Sequence, residues 1–482
     1  MQIACSFVEV VLIFYITMKY KNALCIYPQR KEISTVGIFP PLGLEHIAAV
    51  VKNFSERITI IDMRFEKDAL AFIDNTTDLI CISINWWHEE KEVKELINSL
   101  PMNVTTIVGG RYATENVDEF FRDCPNINII VRGDGEEIVK DILEGKPLSE
   151  ITGISYRNNG SVIHNKPRDL SNFMDDIYPD RTLRRYVYKA NLQGLDLGIE
   201  WDTISSSRGC PFSCKYCDFN SNPLGQKRSW SSRSPESVID ELKKIKARYV
   251  GFTDDNLTND LKRMERLCDL LIEEKIKKTY FINTRLNIAA RPDLIEKMYR
   301  AGFRVLLIGL ESTQDRILKA MQKGFTTAKA KEWAKVLNKY NFFIHGYFII
   351  GNLNEKEEEM MQIPSYAREL GVDTLGLSQL RIRRYSPLFN VIKDMPNYHI
   401  GAEGKVYSDE YSSEHLRKIR RRVTREFYNI PHILRIIKKL ILLRVLTLSL
   451  FFKGIKFAIK ERIERKKKRR KQRNIKLSKI LE

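Results

Sequence analysis

The sequence has no G-x-G-x-x-G run behind its first apolar stretch, which argues against a dinucleotide site there. It is poor in cysteine outside one cluster. Five of the eight cysteines (Cys5, Cys25, Cys81, Cys124 and Cys268) stand singly in apolar or helical contexts. That is the usage of a reduced, cytoplasmic protein and not of a disulfide scaffold. No apolar run reaches the length of a membrane span. Met1 to Thr17 is apolar but short and carries Glu9. It lacks the basic lead and small-residue cleavage site of a signal peptide. We expect Met18 to be the natural start and residues 1–22 to be an apolar extension; a short membrane-associating leader is the alternative. Acidic residues are outnumbered, 61 against 80 basic, for a net charge of +19. The excess gathers after Arg417 and points to an anionic partner, either nucleic acid or an acidic membrane surface. A hydrophobic content of 43% excludes wholesale disorder, and 482 residues leave room for two or three domains.

What the chain does have is three cysteines in one turn-rich loop, Ser205 to Asp218. Cys210, Cys214 and Cys217 stand at C-x3-C-x2-C spacing. Gly209 and Pro211 flank the first, so the run is neither regular helix nor strand. Three thiolates this close suit a soft metal or a cluster better than a hard cation. Zinc wants a fourth ligand, and none follows at zinc-like spacing. An iron–sulfur cluster with one open iron needs only three. The competing readings are a structural zinc knuckle or three unrelated buried thiols.

Around this loop the apolar runs alternate with helical patterns. Before it, strands are expected at residues 23–27, 58–62, 79–84, 105–110 and 127–131, with helices from Pro40 to Lys52 and Glu89 to Leu100. This rhythm argues a doubly wound, Rossmann-like parallel sheet over residues 23–148. Residues 149–195 read as a connector containing a β-hairpin that turns on Asn159-Gly160. Further strands are expected at 249–253, 279–283, 305–309, 342–350 and 374–378. With the strand before Cys210 they make six, a partial (β/α)6 barrel over residues 196–390. Function on such barrels gathers at the strand C-terminal ends. His345 and Tyr347 share one face of the fifth strand; a satisfied core histidine is as good a reading as a catalytic one.

The cysteine run resembles the signature of radical S-adenosylmethionine (SAM) enzymes, with Tyr216 as the aromatic before the third cysteine. The resemblance implies that Cys210, Cys214 and Cys217 hold three irons of a [4Fe–4S] cluster. SAM chelates the fourth and is cleaved to a 5′-deoxyadenosyl radical. It also implies SAM contacts at Tyr216, Asp254, Asp255, Arg285, Glu311, Ser312 and Asn352, which close successive strands. Asn256 and Thr284 read better as ordinary strand-end residues. The N-terminal part resembles the cobalamin-binding domain that precedes many such barrels. The matching features are Pro40-Pro41-Leu42-Gly43-Leu44, Ser83, Gly109-Gly110 and Arg132-Gly133-Asp134-Gly135-Glu136. Ser83, Gly109 and Gly110 are the implied cobalamin contacts. The loop from Pro28 to Phe39 has no histidine, so the implied cobalamin lacks a lower histidine ligand.

The resemblance points to the broad class that includes the anaerobic magnesium-protoporphyrin ester cyclase and the hopanoid-modifying methylases. It implies C-methylation of a hydrophobic or lipid-like substrate, with a reductant such as flavodoxin or ferredoxin. A cyclase or oxidase without methyl transfer is the alternative, and a basic iron–sulfur or zinc protein binding nucleic acid is the non-enzymatic one. Residues 391–482 read as a basic, amphipathic helical tail. Leu440 to Phe452 is short for a span and carries Arg444, which fits a helix lying in the membrane interface. The Lys- and Arg-rich end adds attraction to an anionic leaflet. It has few aromatics to stack on bases, which disfavours nucleic acid.

Overall fold

A computed structural model describes residues 19–31, 37–170, 175–192, 195–217 and 221–447, together with 449, 450, 452–457 and 459. The expected extension before Lys19, and the basic end after Ile459, lie outside the described residues.

The first sheet is built from β1 (Tyr20–Tyr27), β2 (Ser55–Asp62), β3 (Thr77–Ser83), β4 (Thr105–Gly109) and β5 (Ile129–Val131). All pair in parallel, in the order β2-β1-β3-β4-β5. Along β1 the side chains alternate between two buried layers. Leu24 and Ile26 face α2 (Glu90–Asn98) and α3 (Val117–Asp123), while Ala23 and Cys25 face α1 (Leu42–Val51) and α4 (Gly135–Glu144). A strand covered on both faces has no polar side to show, which is why these runs read as continuously apolar. Cys25, Cys81, Cys124 and Cys268 are buried free thiols.

The hairpin expected in a connector does something else. Strands β6 (Ile154–Asn158) and β7 (Ser161–His164) pair antiparallel onto β5 and complete a seven-stranded first sheet. Asn159 and Gly160 turn it with positive φ, 47° and 82°, as a two-residue hairpin loop requires. Further on, β8 (Lys189–Leu192) joins the second sheet, so residues 149–195 contribute strands to both sheets.

In the second sheet β9 (Leu195–Ile204) leads to the cysteine loop, whose ends are pinned by the short pair β10 (Ser207–Arg208) and β11 (Ser231–Ser232). Then come α5 (Pro235–Lys244), β12 (Tyr249–Phe252), α6 (Leu261–Glu273), β13 (Thr279–Thr284), α7 (Pro292–Arg300), β14 (Phe303–Glu311), α8 (Thr327–Leu337), β15 (Phe343–Ile350), α9 (Ile363–Glu369) and β16 (Thr374–Gln379). Six strands run parallel in the order β16-β15-β14-β13-β12-β9, and β8 closes the edge antiparallel. The sheet is an open partial barrel. Ser234 accepts from the Ser237 amide with Pro235 in the first turn, the N-cap arrangement its sequence announces.

A small hairpin, β17 (Tyr398–Ile400) with β18 (Val406–Ser408), precedes two C-terminal helices. The first, α10 (Ser413–Phe427), is part of the barrel's core: Leu416, Ile419, Val423 and Phe427 pack against the inner helices and strands. The second, α11 (Ile430–Leu442), is inverted. Its one buried residue is His432, although nine of its residues are Ile, Leu or Pro. His432 meets the Asp373 carbonyl at 3.0 Å, Arg435 donates to the Gly371 carbonyl at 2.8 Å, and Lys439 reaches the Phe342 carbonyl at 2.7 Å. Those carbonyls sit just before β15 and β16, so the polar face of α11 seals the floor of the barrel. Ile430, Leu434, Ile441 and Leu442 point outward, each more than half exposed.

Candidate active site at the barrel mouth

The cysteine loop starts at the C-terminal end of β9, and its entry is fixed by a buried carboxylate. Asp254, 1% exposed at the end of β12, accepts from the Ser206 amide at 3.0 Å, from Ser206 Oγ at 2.7 Å and from Ser207 Oγ. Burial pushes its pKa up, and these donors pull against that shift. Gly209 then takes φ +78°, where an added Cβ would stand 2.8 Å from the Ser229 carbonyl oxygen, so glycine is required immediately before Cys210.

The far side of the loop is held by three groups. Tyr216 donates to Glu311 Oε1 at 2.8 Å, and Lys323 Nζ reaches the same oxygen at 2.8 Å and the Tyr216 hydroxyl at 3.2 Å. All of this is nearly closed to water: Glu311 is 5% and Lys323 4% exposed. Arg285 lies over the Phe212 ring at 3.9 Å, donates to Cys214 Sγ at 3.4 Å and bonds the Lys323 carbonyl. Cys214 is buried, whereas Cys210 and Cys217 are part-exposed. Among the described residues no three Cys, His, Asp or Glu side chains gather tightly enough for a single metal ion.

The expected SAM contacts therefore divide. Asp254, Arg285, Glu311 and Tyr216 are brought to the loop but are engaged by protein partners. Asp255 lines a cavity of about 280 Å³ with Gly209, Ser207 and Arg111. Burial and the adjoining Asp254 push its carboxyl up to about 6. Asn352 is 5% exposed; its amide NH2 goes to the Ile349 carbonyl at 2.9 Å and to Glu355 at 3.0 Å, leaving Oδ1 buried without a partner. Ser312 is fully buried and its hydroxyl accepts from the Gln314 amide at 3.2 Å. Asn256 and Thr284 bond neighbouring side chains, Asn259 and Thr258, as ordinary strand-end residues do. His345 bonds Thr374 Oγ1 at 2.8 Å, and burial holds its imidazole down at about 4.

The two sheets interlock at this loop. Asp134 and Glu136, from the Arg132-Gly133-Asp134-Gly135-Glu136 run after β5, pair with Arg228 and Arg208 on either side of the cysteines. A slot of about 200 Å³ runs along the ends of β3, β4 and β5, lined by Gly43, Ser83, Gly109, Gly110, Gly133 and Glu136. Gly110 has φ +101°, and an added Cβ would lie 2.5 Å from the Ile84 carbonyl oxygen. A larger cavity, about 1050 Å³, opens between the sheets. Asn85, Trp86, Trp87 and Arg111 form its N-terminal wall, and Tyr216, Cys217, Ile349 and Leu377 face them from the barrel. Lys323 and the two tryptophans were not singled out from the sequence. Trp86-Trp87, directly after an apolar strand, was the available signal for the latter.

A profile described as the Radical SAM superfamily matches residues 204–363. The chain carries a radical SAM domain. This domain starts at the last residue of β9, takes in the cysteine loop and ends at the start of α9. Over 453 residues the chain is 26% identical to an uncharacterised methyltransferase of Pyrococcus horikoshii, covering 86% of this chain and 94% of that one. It is also 26% identical to the anaerobic magnesium-protoporphyrin IX monomethyl ester cyclase of Cereibacter sphaeroides, over 74% of this chain and 61% of that protein's length. In architecture it is similar to the radical SAM methyltransferase TsrM of Kitasatospora setae, with a TM-score of 0.63 at 15% identity, covering 86% of this chain and 82% of that one. That structure contains cobalamin and a [4Fe–4S] cluster.

Proposed function

We propose that this radical SAM enzyme holds a [4Fe–4S] cluster on Cys210, Cys214 and Cys217, binds cobalamin on its first sheet, and C-methylates a largely hydrophobic substrate. One observation carries the reading. The cysteine loop and the C-terminal edge of the first sheet open onto the same cavity of about 1050 Å³, with Cys217 and Tyr216 facing Asn85, Trp86 and Arg111. Two cofactors that must act on one carbon need such a shared space.

When bound, the cluster on Cys210, Cys214 and Cys217 would supply one-electron cleavage of SAM, and cobalamin would supply a transferable methyl group. The chain supplies position. Of the expected contacts, Asp255 faces a cavity and the buried Oδ1 of Asn352 lacks a protein partner, so these two are the groups left to take SAM. The glycine-walled slot beside Ser83, Gly109 and Gly110 admits a narrow polar tail close to the backbone. Trp86, Trp87, Ile349 and Leu377 offer the substrate an apolar surface and exclude water. At the rim Arg381, Arg383, Lys405, Arg417 and Arg420 outnumber Glu115 and Glu414, which favours a substrate bearing a carboxylate or phosphate.

The C-terminal helices support a peripheral membrane attachment. No helix among the described residues is long and apolar enough to cross a membrane. The outward face of α11 suits lying in an interface instead, with Lys438 and Arg444 at its margins.

The test is anaerobic reconstitution with iron and sulfide, then SAM and a low-potential reductant such as flavodoxin. We expect about one cluster per chain, retained cobalt, and 5′-deoxyadenosine together with a methylated product. Cluster and deoxyadenosine without cobalt would favour the cyclase or oxidase alternative. Neither appearing would sink the proposal.

A further inference from the structure

The floor of the barrel, opposite the cysteine loop, carries a second large cavity of about 790 Å³. It opens where the strands begin. Arg248 precedes β12, Lys277 and Lys278 precede β13, and Arg304 follows the first residue of β14. Lys275 and Arg300 come from the ends of α6 and α7. Leu442, Leu443 and Arg444 close it from the end of α11, where Tyr249 donates to the Arg444 carbonyl at 3.3 Å.

Seven cationic side chains line this cavity, and no aspartate or glutamate does. Lys278 is held by the Ile245 and Ala247 carbonyls at 2.5 and 3.0 Å, and Arg304 by the Phe303 carbonyl at 2.8 Å. Among the described residues Arg248, Lys275, Lys277, Arg300 and Arg444 have no carboxylate within ion-pair reach. Elsewhere the surface pairs its cations freely: Lys297 meets Glu265 and Asp269 at 2.9 Å, and Lys243 meets Glu274 at 3.1 Å, both on neighbouring helices. The floor instead gathers these cations around one hollow with no carboxylate in its lining.

This cavity shares its rim with the outward apolar face of α11 through Leu442, which lines it and is more than half exposed. We infer that the floor cavity is a binding site for the phosphate-bearing headgroup of an anionic lipid, docked while α11 lies in the membrane interface. The inference rests on the membrane attachment proposed above. Charge complementarity selects the occupant: an uncompensated cationic hollow that meets the exposed apolar face of α11 at Leu442 matches a phosphate standing over acyl chains. A nucleic acid would share the charge but has no use for the apolar rim.

The experiment uses the full chain and flotation with phosphatidylcholine vesicles, with and without phosphatidylglycerol. The floor triple variant is Arg248→Gln, Lys277→Gln, Arg300→Gln. A charge-matched control removes three exposed lysines from elsewhere in the fold, Lys67→Gln, Lys91→Gln, Lys319→Gln. Because a basic residue at an anionic surface changes binding about fivefold, the floor triple is expected to lose roughly a hundredfold in affinity, and the control far less. Leu434→Glu with Ile441→Glu is expected to abolish flotation. If the wild-type chain ignores anionic vesicles, the membrane attachment fails and the site with it. If it floats but the two triples lose affinity equally, only the headgroup site is overturned. Single-stranded RNA binding that the floor triple abolishes and anionic vesicles do not compete would overturn it in favour of a nucleic-acid surface.

Discussion

At the scale of single residues, the least replaceable one outside the cysteines is Lys323. Its ammonium is shared by Glu311 and Tyr216 in a pocket closed to water. Removing one partner of a buried ion pair strands the other charge, at about 3 kcal/mol or more. Lys323→Met is therefore expected to lower thermal stability by that order and to reduce the iron retained after reconstitution. Tyr216→Phe, which leaves the ion pair intact, should cost about 1 kcal/mol. Melting curves and iron-to-protein ratios check both. Glu355 offers a pH test. Burial raises its carboxyl from an ordinary 4.5 to about 7, so the fold favours the neutral acid. Its stabilising contribution is complete below about pH 4.5 and is lost as pH rises through about 7. Glu355→Gln should remove that loss. The variant gains about 2–3 kcal/mol on wild type at pH 8 compared with pH 5, read from denaturant melts. The cysteines were legible because their spacing is local. Lys323 was not, because its partners come from the end of the preceding strand, β14, and from the distant cysteine loop. Glu311 and Arg285 were expected from the sequence as SAM contacts; in the structure both are engaged by protein groups, which their positions in the sequence do not announce.

At the scale of elements, the run after β5 changes its meaning once the sheets are seen together. Read alone it is a glycine-rich turn. In the fold, Glu136 pairs with Arg208 and Asp134 with Arg228, so this turn clamps both arms of the cysteine loop. Glu136→Gln should cost about 2 kcal/mol and speed amide exchange over residues 205–210, since it leaves a largely buried guanidinium without its carboxylate. A Glu136→Arg, Arg208→Glu swap should recover part of that protection; no recovery would show that the pair acts independently. The strands themselves were readable because sheets covered on both faces demand unbroken apolar runs. The allocation of the Asn159-Gly160 hairpin was not, because a turn signal fixes the hairpin and says nothing of which sheet edge it joins. α10 looked like part of a basic tail because its exposed face dominates the composition. Its four apolar residues at helical spacing carry it into the core.

At the scale of the whole molecule, the reaction cavity and α11 stand at opposite ends of the barrel. The cavity opens at the C-terminal ends of β15 and β16; α11 bonds the residues just before their first. A strand of eight residues such as β15 separates the two by about 25 Å. A molecule docked through α11 therefore holds its reaction mouth well clear of the bilayer, facing water. The substrate must leave the membrane, or arrive from solution, before it meets the cysteine loop, and the cationic rim fits a substrate carrying an anionic group. Fluorescence decides this orientation. On vesicles containing brominated lipid, the part of the emission that Trp86→Phe with Trp87→Phe removes should be unquenched, because of the five tryptophans these two line the mouth. Leu434→Trp should add a component that the bromines quench strongly. Quenching of the wild-type chain, removed by Trp86→Phe with Trp87→Phe, would mean that the mouth itself meets the membrane and that substrate enters laterally from lipid.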